Sequence, residues 1–392
     1  MISTLYRGSV KNLLGPVSSG GIPALVFEYS DAYSVFDWGR MPDLLPGKGH
    51  ALAVMAADLF EKLGNGSTWT EFSKTPEALA LRKANRFGSA FNEIGEVLKV
   101  SGLKTHYLGV PAGVTGDAEI KAIPLSDFGK PTPTLLVKQV SSVKPEFCSI
   151  LGRMVPDYLA TRSSPPPRLI PLEVVFRFSL PPGSSLLDRV AKHPDYLATI
   201  GYGDLPIQPG VKWDFPVLEL FTKLETTDRV VPLPEALAIS GVSAAQLQEV
   251  LLKTAWVGGY LKAICQRRGL ELADGKLEWA IDADGSILLV DAIGPDELRI
   301  LKDGVQLSKE FLRTFYRHTP WYQALEQAKQ QAKKQGVAEW KKLLSAGPPH
   351  LPENYMAVAA QLYKVLTHEI TGRRWFSDAW SLDQVVSELK KL

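Results

Sequence analysis

The sequence predicts an α+β chain in which a mixed N-terminal lobe joins a larger C-terminal lobe that ends in helices. Three observations predict it. The first third interleaves short apolar runs with one long helical face. Residues 172–180 alternate between apolar and polar positions with the period of a strand. The last quarter carries apolar residues at helical spacing behind capping residues.

Taken in order, VKNLLG (10–15) and IPALVFEYS (22–30) read as the first strands, parted by Ser18-Ser19-Gly20-Gly21. Apolar residues at 52, 55, 56, 59, 60 and 63 predict a helix over 49–64. TLLVKQV (134–140) reads as a short buried strand, and the first lobe is expected to span 1–140. The second lobe, 141–392, opens with an apparent insertion over 144–168 that ends in Ser163-Ser164-Pro165-Pro166-Pro167, a linker signal. LEVVFRFSL (172–180) places Glu173, Val175, Arg177 and Ser179 on one face and Val174, Phe176 and Phe178 on the other. A capping box, Ser243 to Gln246, opens a long helix over 243–268. Helices follow at 308–318, 321–336 and 354–371, and Ser381 with Gln384 caps a terminal one.

Composition bounds the function. The chain has 392 residues, 45% hydrophobic and 22% charged, the balance of an ordinary globular protein. A net charge of +2 argues against nucleic acid or a membrane surface as partner, and KQQAKKQGVAEWKK (329–342) reads as the solvated face of a helix. Cys148 and Cys265 stand far apart, which excludes a disulfide framework and fits a reducing cytoplasm. MISTLYRGSVK lacks the apolar core of a signal peptide, and no apolar run approaches the roughly 20 residues of a membrane helix.

The densest chemistry lies in residues 274–299, DGKLEWAIDADGSILLVDAIGPDELR. Asp284-Gly285 between apolar runs predicts a two-residue hairpin turn. With Ala283 paired to Ser286, Glu278 falls opposite Asp291, and two like charges at that spacing repel unless something lies between them. A divalent cation would serve, because Mg²⁺ takes one or two carboxylates plus substrate phosphate oxygens. Lys276 shares the face of Glu278, and Arg299 follows the second strand, so two bases stand ready for an anion. The alternative is a solvated hairpin whose acids pair with nearby Lys or Arg.

Several segments resemble, in order, the phosphoribosylaminoimidazole-succinocarboxamide (SAICAR) synthase family. LYRGSVK (5–11) is similar to its first glycine hairpin, YSDAYSVFDWG (29–39) to its Thr-Asp-Arg-x-Ser-Ala-Phe-Asp segment, and LPGKG (45–49) to Ile-Pro-Gly-Lys-Gly. THY (105–107), LLVKQV (135–140), PLEVVFR (171–177) with Gly183-Ser184, and FTKLE (221–225) continue the series. DGKLEWA, DAIGPDELR and LPENYMAVAAQLYKVLTHEITG (351–372) close it. The resemblance implies a two-lobed fold with a larger ATP-grasp-like C-terminal lobe. It also implies an ATP- and Mg²⁺-dependent ligase that joins aspartate to the carboxylate of carboxyaminoimidazole ribonucleotide. It sets no oligomeric state.

By the same resemblance Gly8, Ser9, Lys11 and Lys138 hold ATP, and Glu278 and Asp291 hold Mg²⁺. Arg177, Ser184, Lys276 and Arg299 grip the ribonucleotide 5′-phosphate, an oxyanion that suits the fork of an arginine. Ser34 and Asp37 read the aminoimidazole, and Lys223 and Glu225 border the reacting carboxylates. Taken alone, Lys48 reads as a solvated turn lysine, since no Ser or Thr follows it as a P-loop requires.

The chain departs from the family pattern at Ser9, where Lys is usual, at Ala292, where an acid is usual, and in a spacing from Arg177 to Gly183 that is one residue longer. The family's His-Asp pair is replaced by Asp228-Arg229, which adds positive charge to the acceptor side. Either aspartate is held differently, or the chain is a paralogous ligase with another amine or imidazole substrate. A silent nucleotide-binding homologue is the third reading.

Overall fold

The computed structural model describes residues 2–115, 119–225, 227–335 and 340–392; the end of the helix expected at 336, and part of 329–342, lie outside them. The chain forms two compact units. One comprises Met1–Leu59, Tyr107–Gln139 and Gly294–Leu392, the other Phe60–His106 and Val140–Ile293. The chain passes from one unit to the other after Leu59, His106, Gln139 and Ile293. The last passage returns it to the first unit, so the C-terminal helices group with the N-terminal sheet and not with 141–293.

In the first unit β1 (Thr4–Arg7), β2 (Lys11–Ser19), β3 (Ile22–Tyr29), β4 (Tyr107–Thr115), β5 (Glu119–Ile123) and β6 (Thr134–Lys138) form one sheet in the order β1-β2-β3-β6-β4-β5. β5 also meets β2, Ser18 opposite Glu119, so the sheet closes on itself around Val17, Ala24, Val26, Ile120 and Leu136. The expected helix is present as Lys48–Leu63, and the C-terminal helices are Glu310–Arg317, Pro320–Gln335, Glu353–Thr371 and Leu382–Leu389.

In the second unit the 144–168 insertion is structured. It holds a hairpin of β7 (Glu146–Ile150) and β8 (Arg153–Asp157) and a short helix, Leu159–Ser163. β9 (Arg168–Ser179) pairs with both β10 (Lys212–Thr222) and β12 (Glu271–Ile281); β10 also pairs with β11 (Val230–Val231), and β12 with β13 (Ile287–Val290). The long helix, Ala244–Arg267, starts at its capping box and covers one sheet face. Trp279 donates to Thr254 (3.0 Å), and Trp256 stacks on Phe91 at 4.7 Å. A Cβ on Gly95 would lie 2.4 Å from the Trp256 ring, so glycine there admits the indole.

The hairpin at 284–285 closes differently from the two-residue expectation. Asp282 N–H donates to Ser286 O (2.8 Å), and Gly285 N–H donates back to Asp282 O with φ 81. This is a turn closed by a left-handed glycine, and it leaves residues 283–285 as the loop. The register shifts by one: Glu278 faces Val290, not Asp291, and Asp291 leaves the strand with φ 70.

Candidate active site

Strand alternation assembles a charged face in the second unit. Across β9 and β12, Arg177 faces Asp274, Val175 faces Lys276 and Glu173 faces Glu278; on β10, Glu219 faces Val175. Lys223 follows directly after β10. The polar side of β9 is therefore buried as fully as its apolar side, and ion pairs satisfy it. Two clusters result, and Glu173 and Arg177 belong to different ones.

The first cluster centres on Glu219, which is fully buried. It accepts from Arg177 Nε (2.5 Å), Arg189 Nε (3.1 Å) and Tyr196 OH (2.7 Å), while Arg177 Nη1 reaches Asp274 at 3.2 Å. Burial alone would raise the Glu219 carboxyl, but the two guanidinium groups outweigh it and hold the carboxyl below its ordinary range. Arg177 Nη2 points to Ser185 Oγ (3.4 Å) at the start of the helix Ser185–Lys192. Beside it the Ser184 hydroxyl is buried and has no hydrogen-bond partner. Arg177 is thus more deeply engaged than a free phosphate clamp, yet it still reaches the Ser184–Ser185 corner.

The second cluster corrects the like-charge pair expected from the sequence. The acid directly across from Glu278 is Glu173, not Asp291. Lys223 Nζ lies 2.6 Å from Glu278 and 3.4 Å from Glu173, and Lys276 Nζ lies 2.9 Å from Glu173. Burial alone would raise the Glu173 carboxyl, yet Lys276 and Lys223 hold it low. Burial would lower the Lys223 ammonium, and Glu278 and Glu173 hold it high.

Glu225 is clamped. Tyr158 OH donates to it at 2.7 Å, Arg229 Nε at 3.1 Å and Arg229 Nη2 at 3.2 Å, and Arg229 also reaches Glu235 at 2.6 Å. Two glutamates offset Arg229, so it does not add the free positive charge expected of it.

In the first unit the Gly8 N–H donates to Lys11 O (3.0 Å), closing the turn between β1 and β2. A Cβ on Gly8 would lie 2.5 Å from that carbonyl, which is why the turn takes glycine. Ser9 is half-buried in the same turn, and Lys11 Nζ lies 4.3 Å over the Phe27 ring. Lys138 ends β6 opposite Ala24. Ser34 is half-buried, whereas Asp37 is exposed, left-handed (φ 60) and paired with Lys329 at 3.0 Å. Arg299 lies half-buried on the strand Leu298–Lys302.

Sequence reasoning missed Lys48. It is fully buried at the start of the helix Lys48–Leu63, 2.9 Å from Asp296 and 5.0 Å over the Tyr363 ring. Tyr363 OH donates to the same carboxylate at 2.6 Å. Burial opposes the Asp296 charge, but Lys48 and Lys309 outweigh it and hold the carboxyl well below its ordinary range. The Pro-Asp of DAIGPDELR was the only signal for its partner.

Among the described residues no cluster of three or more His, Cys, Asp or Glu forms a metal cage, and no helix is long and apolar enough to cross a membrane. Glu278 and Asp291, the carboxylates expected to hold Mg²⁺, are not cross-strand partners: Glu278 faces Val290 and lies 2.6 Å from Lys223 Nζ, and Asp291 is the residue that follows Val290. Both are hard oxygen donors of the kind Mg²⁺ takes.

A protein of Archaeoglobus fulgidus, provisionally named a phosphoribosylaminoimidazole-succinocarboxamide synthase, is 32% identical over 98% of this chain and 99% of its own. The chain belongs to the SAICAR synthase family. The family's sequence profile, described as SAICAR synthetase, matches residues 162–331. A SAICAR synthase from Thermoplasma acidophilum is 34% identical over 53% of this chain and 69% of its own. Among solved structures, a SAICAR synthetase in complex with ADP aligns with TM-score 0.52 and 19% identity, over 94% of this chain and 97% of its own. The SAICAR synthase from Saccharomyces cerevisiae, complexed with SAICAR, aligns with TM-score 0.53 and 17% identity over 95% and 96%. The α+β fold, with its helical C-terminus, is that of a SAICAR synthase.

Proposed function

We propose that the chain joins the amino group of aspartate to the carboxylate of carboxyaminoimidazole ribonucleotide, at the expense of ATP, in purine biosynthesis. The observation that carries this reading is the Ser184 corner. A buried hydroxyl without a partner, a helix N-terminus and the Arg177 fork behind Ser185 form a receptor for an oxyanion such as a ribonucleotide 5′-phosphate. Lys276 would add positive charge for the same group, and Arg299 lies in the other unit.

The turn closed by Gly8, with Ser9, Lys11 and Lys138, binds the ATP phosphates. Its glycine leaves the backbone free of a Cβ. Ser34 and Asp37 orient the aminoimidazole. Glu278 and Asp291 would hold Mg²⁺, which when bound would supply positive charge against the phosphate oxygens. A carboxylate oxygen of the ribonucleotide attacks the γ-phosphorus and ADP leaves. The amine nitrogen then attacks the activated carbonyl carbon, phosphate leaves with the former carboxylate oxygen, and the nitrogen loses a proton. Lys223 stabilises the negative charge that develops on the carbonyl oxygen as the amine attacks, and Glu225 borders the acceptor.

One observation favours a second reading, a paralogue with another amine. The Glu225–Arg229–Glu235 clamp stands where the family carries His-Asp. Coupled ADP release, measured with the imidazole ribonucleotide and aspartate and then with a panel of amines, tests both. Release that requires aspartate supports the first reading. Release that requires another amine supports the second, and none with any amine refutes both.

A further inference from the structure

Apart from Tyr158, which donates to Glu225, the 144–168 insertion has no part in the proposed chemistry, and its hairpin is built unlike the rest of the fold. Both faces are open: Phe147 is 42% exposed, Ile150 54%, Met154 59% and Val155 38%. Among the described residues β7 and β8 pair only with each other, and an isolated two-stranded hairpin is marginally stable in water.

The two outer edges differ. Leu151-Gly152 form a two-residue turn with both φ positive, so Ile150 and Arg153 close it as a hydrogen-bonded pair, and Cys148 with Val155 repeats that pattern. The outward backbone groups are then those of Phe147 and Ser149 on β7, and of Met154 and Pro156 on β8. Pro156 has no N–H to offer, so the β8 edge is blunted, while the β7 edge keeps every donor and acceptor.

We propose that the β7 edge pairs antiparallel with β7 of a second copy of this chain, with the twofold axis at Cys148. Phe147 of each copy then exchanges both backbone hydrogen bonds with Ser149 of the other, and the two hairpins become one four-stranded sheet. Charge favours this partner. Within one hairpin Glu146 and Asp157 face each other at one end, a repelling pair, while Arg153 faces Ile150 at the other. The twofold axis lays the acidic end of each copy beside the Arg153 end of the other. Cys148 then faces its own copy in a non-hydrogen-bonded pair, where Cα atoms about 4.5 Å apart fall within disulfide reach. The only other cysteine, Cys265, is buried.

Sedimentation of the full chain tests the pairing, with copper-phenanthroline oxidation as a probe of the axis. The expected result is a dimer that oxidises to a disulfide-linked pair in wild type and not in Cys148→Ala. Ser149→Pro removes an outward N–H and should give a monomer. Glu146→Arg relieves the repulsion inside the hairpin yet brings like charge towards Arg153 of the other copy, one strand beyond the facing Ile150, so it should weaken the dimer a few-fold while leaving the fold intact by circular dichroism. A wild type that stays monomeric at its highest soluble concentration overturns the proposal. So does a dimer that survives both Ser149→Pro and Glu146→Arg, and a dimer without the Cys148 link overturns the axis.

Discussion

Glu278 lies directly across the sheet from Glu173, and the Lys223 ammonium sits 2.6 Å from the first and 3.4 Å from the second. One lysine thus keeps two mostly buried acids compatible. Lys223→Met should lower stability by about 3 kcal/mol, the cost of stranding buried charge, and abolish turnover. Glu173 has a depressed carboxyl in the folded protein, so its contribution is present above the ordinary Glu range and fades as pH falls through it. The difference between wild type and variant should therefore shrink on acidification. Urea unfolding at two pH values checks this, and a constant difference contradicts it.

Glu278→Gln and Asp291→Asn should each cripple ATP-dependent turnover, because each removes one of two carboxylates proposed for Mg²⁺. Folding should survive Glu278→Gln, since Lys223 keeps Glu173 as a partner. Turnover against Mg²⁺ concentration, beside thermal unfolding, is the measurement. Wild-type activity at limiting Mg²⁺ removes the assignment.

The Lys48–Asp296 pair is a stability element of the first unit. Lys48→Met alone should cost about 3–5 kcal/mol by leaving Asp296 buried and uncompensated, whereas Lys48→Met with Asp296→Leu should cost markedly less. The Asp296 carboxyl is depressed in wild type, so the pair's contribution is lost as pH falls below the ordinary Asp range. Without Lys48, burial raises that carboxyl and the slope reverses. Chemical unfolding of the four-member cycle decides it; equal losses in the single and double variants would show that the pair is not coupled.

Asp228 should limit the rate with aspartate. No histidine stands at 228 to take the amine proton, and general-base help is worth roughly 10²–10⁴ in rate. Wild-type turnover with aspartate should therefore be slow and climb with pH towards the amine pKa. Asp228→His with Arg229→Asp should raise the rate and flatten the climb. If aspartate turnover is the same in both proteins over the whole pH range, this segment is not part of the acceptor site.

Much of this was legible before the fold was seen, for identifiable reasons. The alternation of 172–180 marks a strand because side-chain direction has period two, and the Ser243–Gln246 box marks a helix start because its hydrogen bonds are local. The hairpin register was missed by one residue because Asp282, one position before the assumed turn, supplies the closing groups. Lys48 was misread, and Glu173 was not foreseen as the acid opposite Glu278, for a different reason. Their partners, Asp296 and Glu278, are remote in sequence, and only the tertiary fold decides whether a charged residue is solvated or enclosed. Arg229 was read as free charge because Glu235 lies on the following helix, Leu233–Ser240, whose packing no local pattern announces.

The three-part composition of the first unit bears on how the molecule is made. Its sheet is complete by Gln139, but Lys48 must wait for Asp296 and Tyr363, which leave the ribosome only after the whole second unit. Closing so long a loop is slow compared with forming local contacts. During synthesis the second unit should therefore mature first, while the helix that follows the nascent sheet opens on a buried-to-be lysine with no counter-charge. Chains stalled after Ile293 should show protease resistance in 140–293 and cleavage within 1–59; equal resistance in both segments would mean that the sheet does not need its late helices.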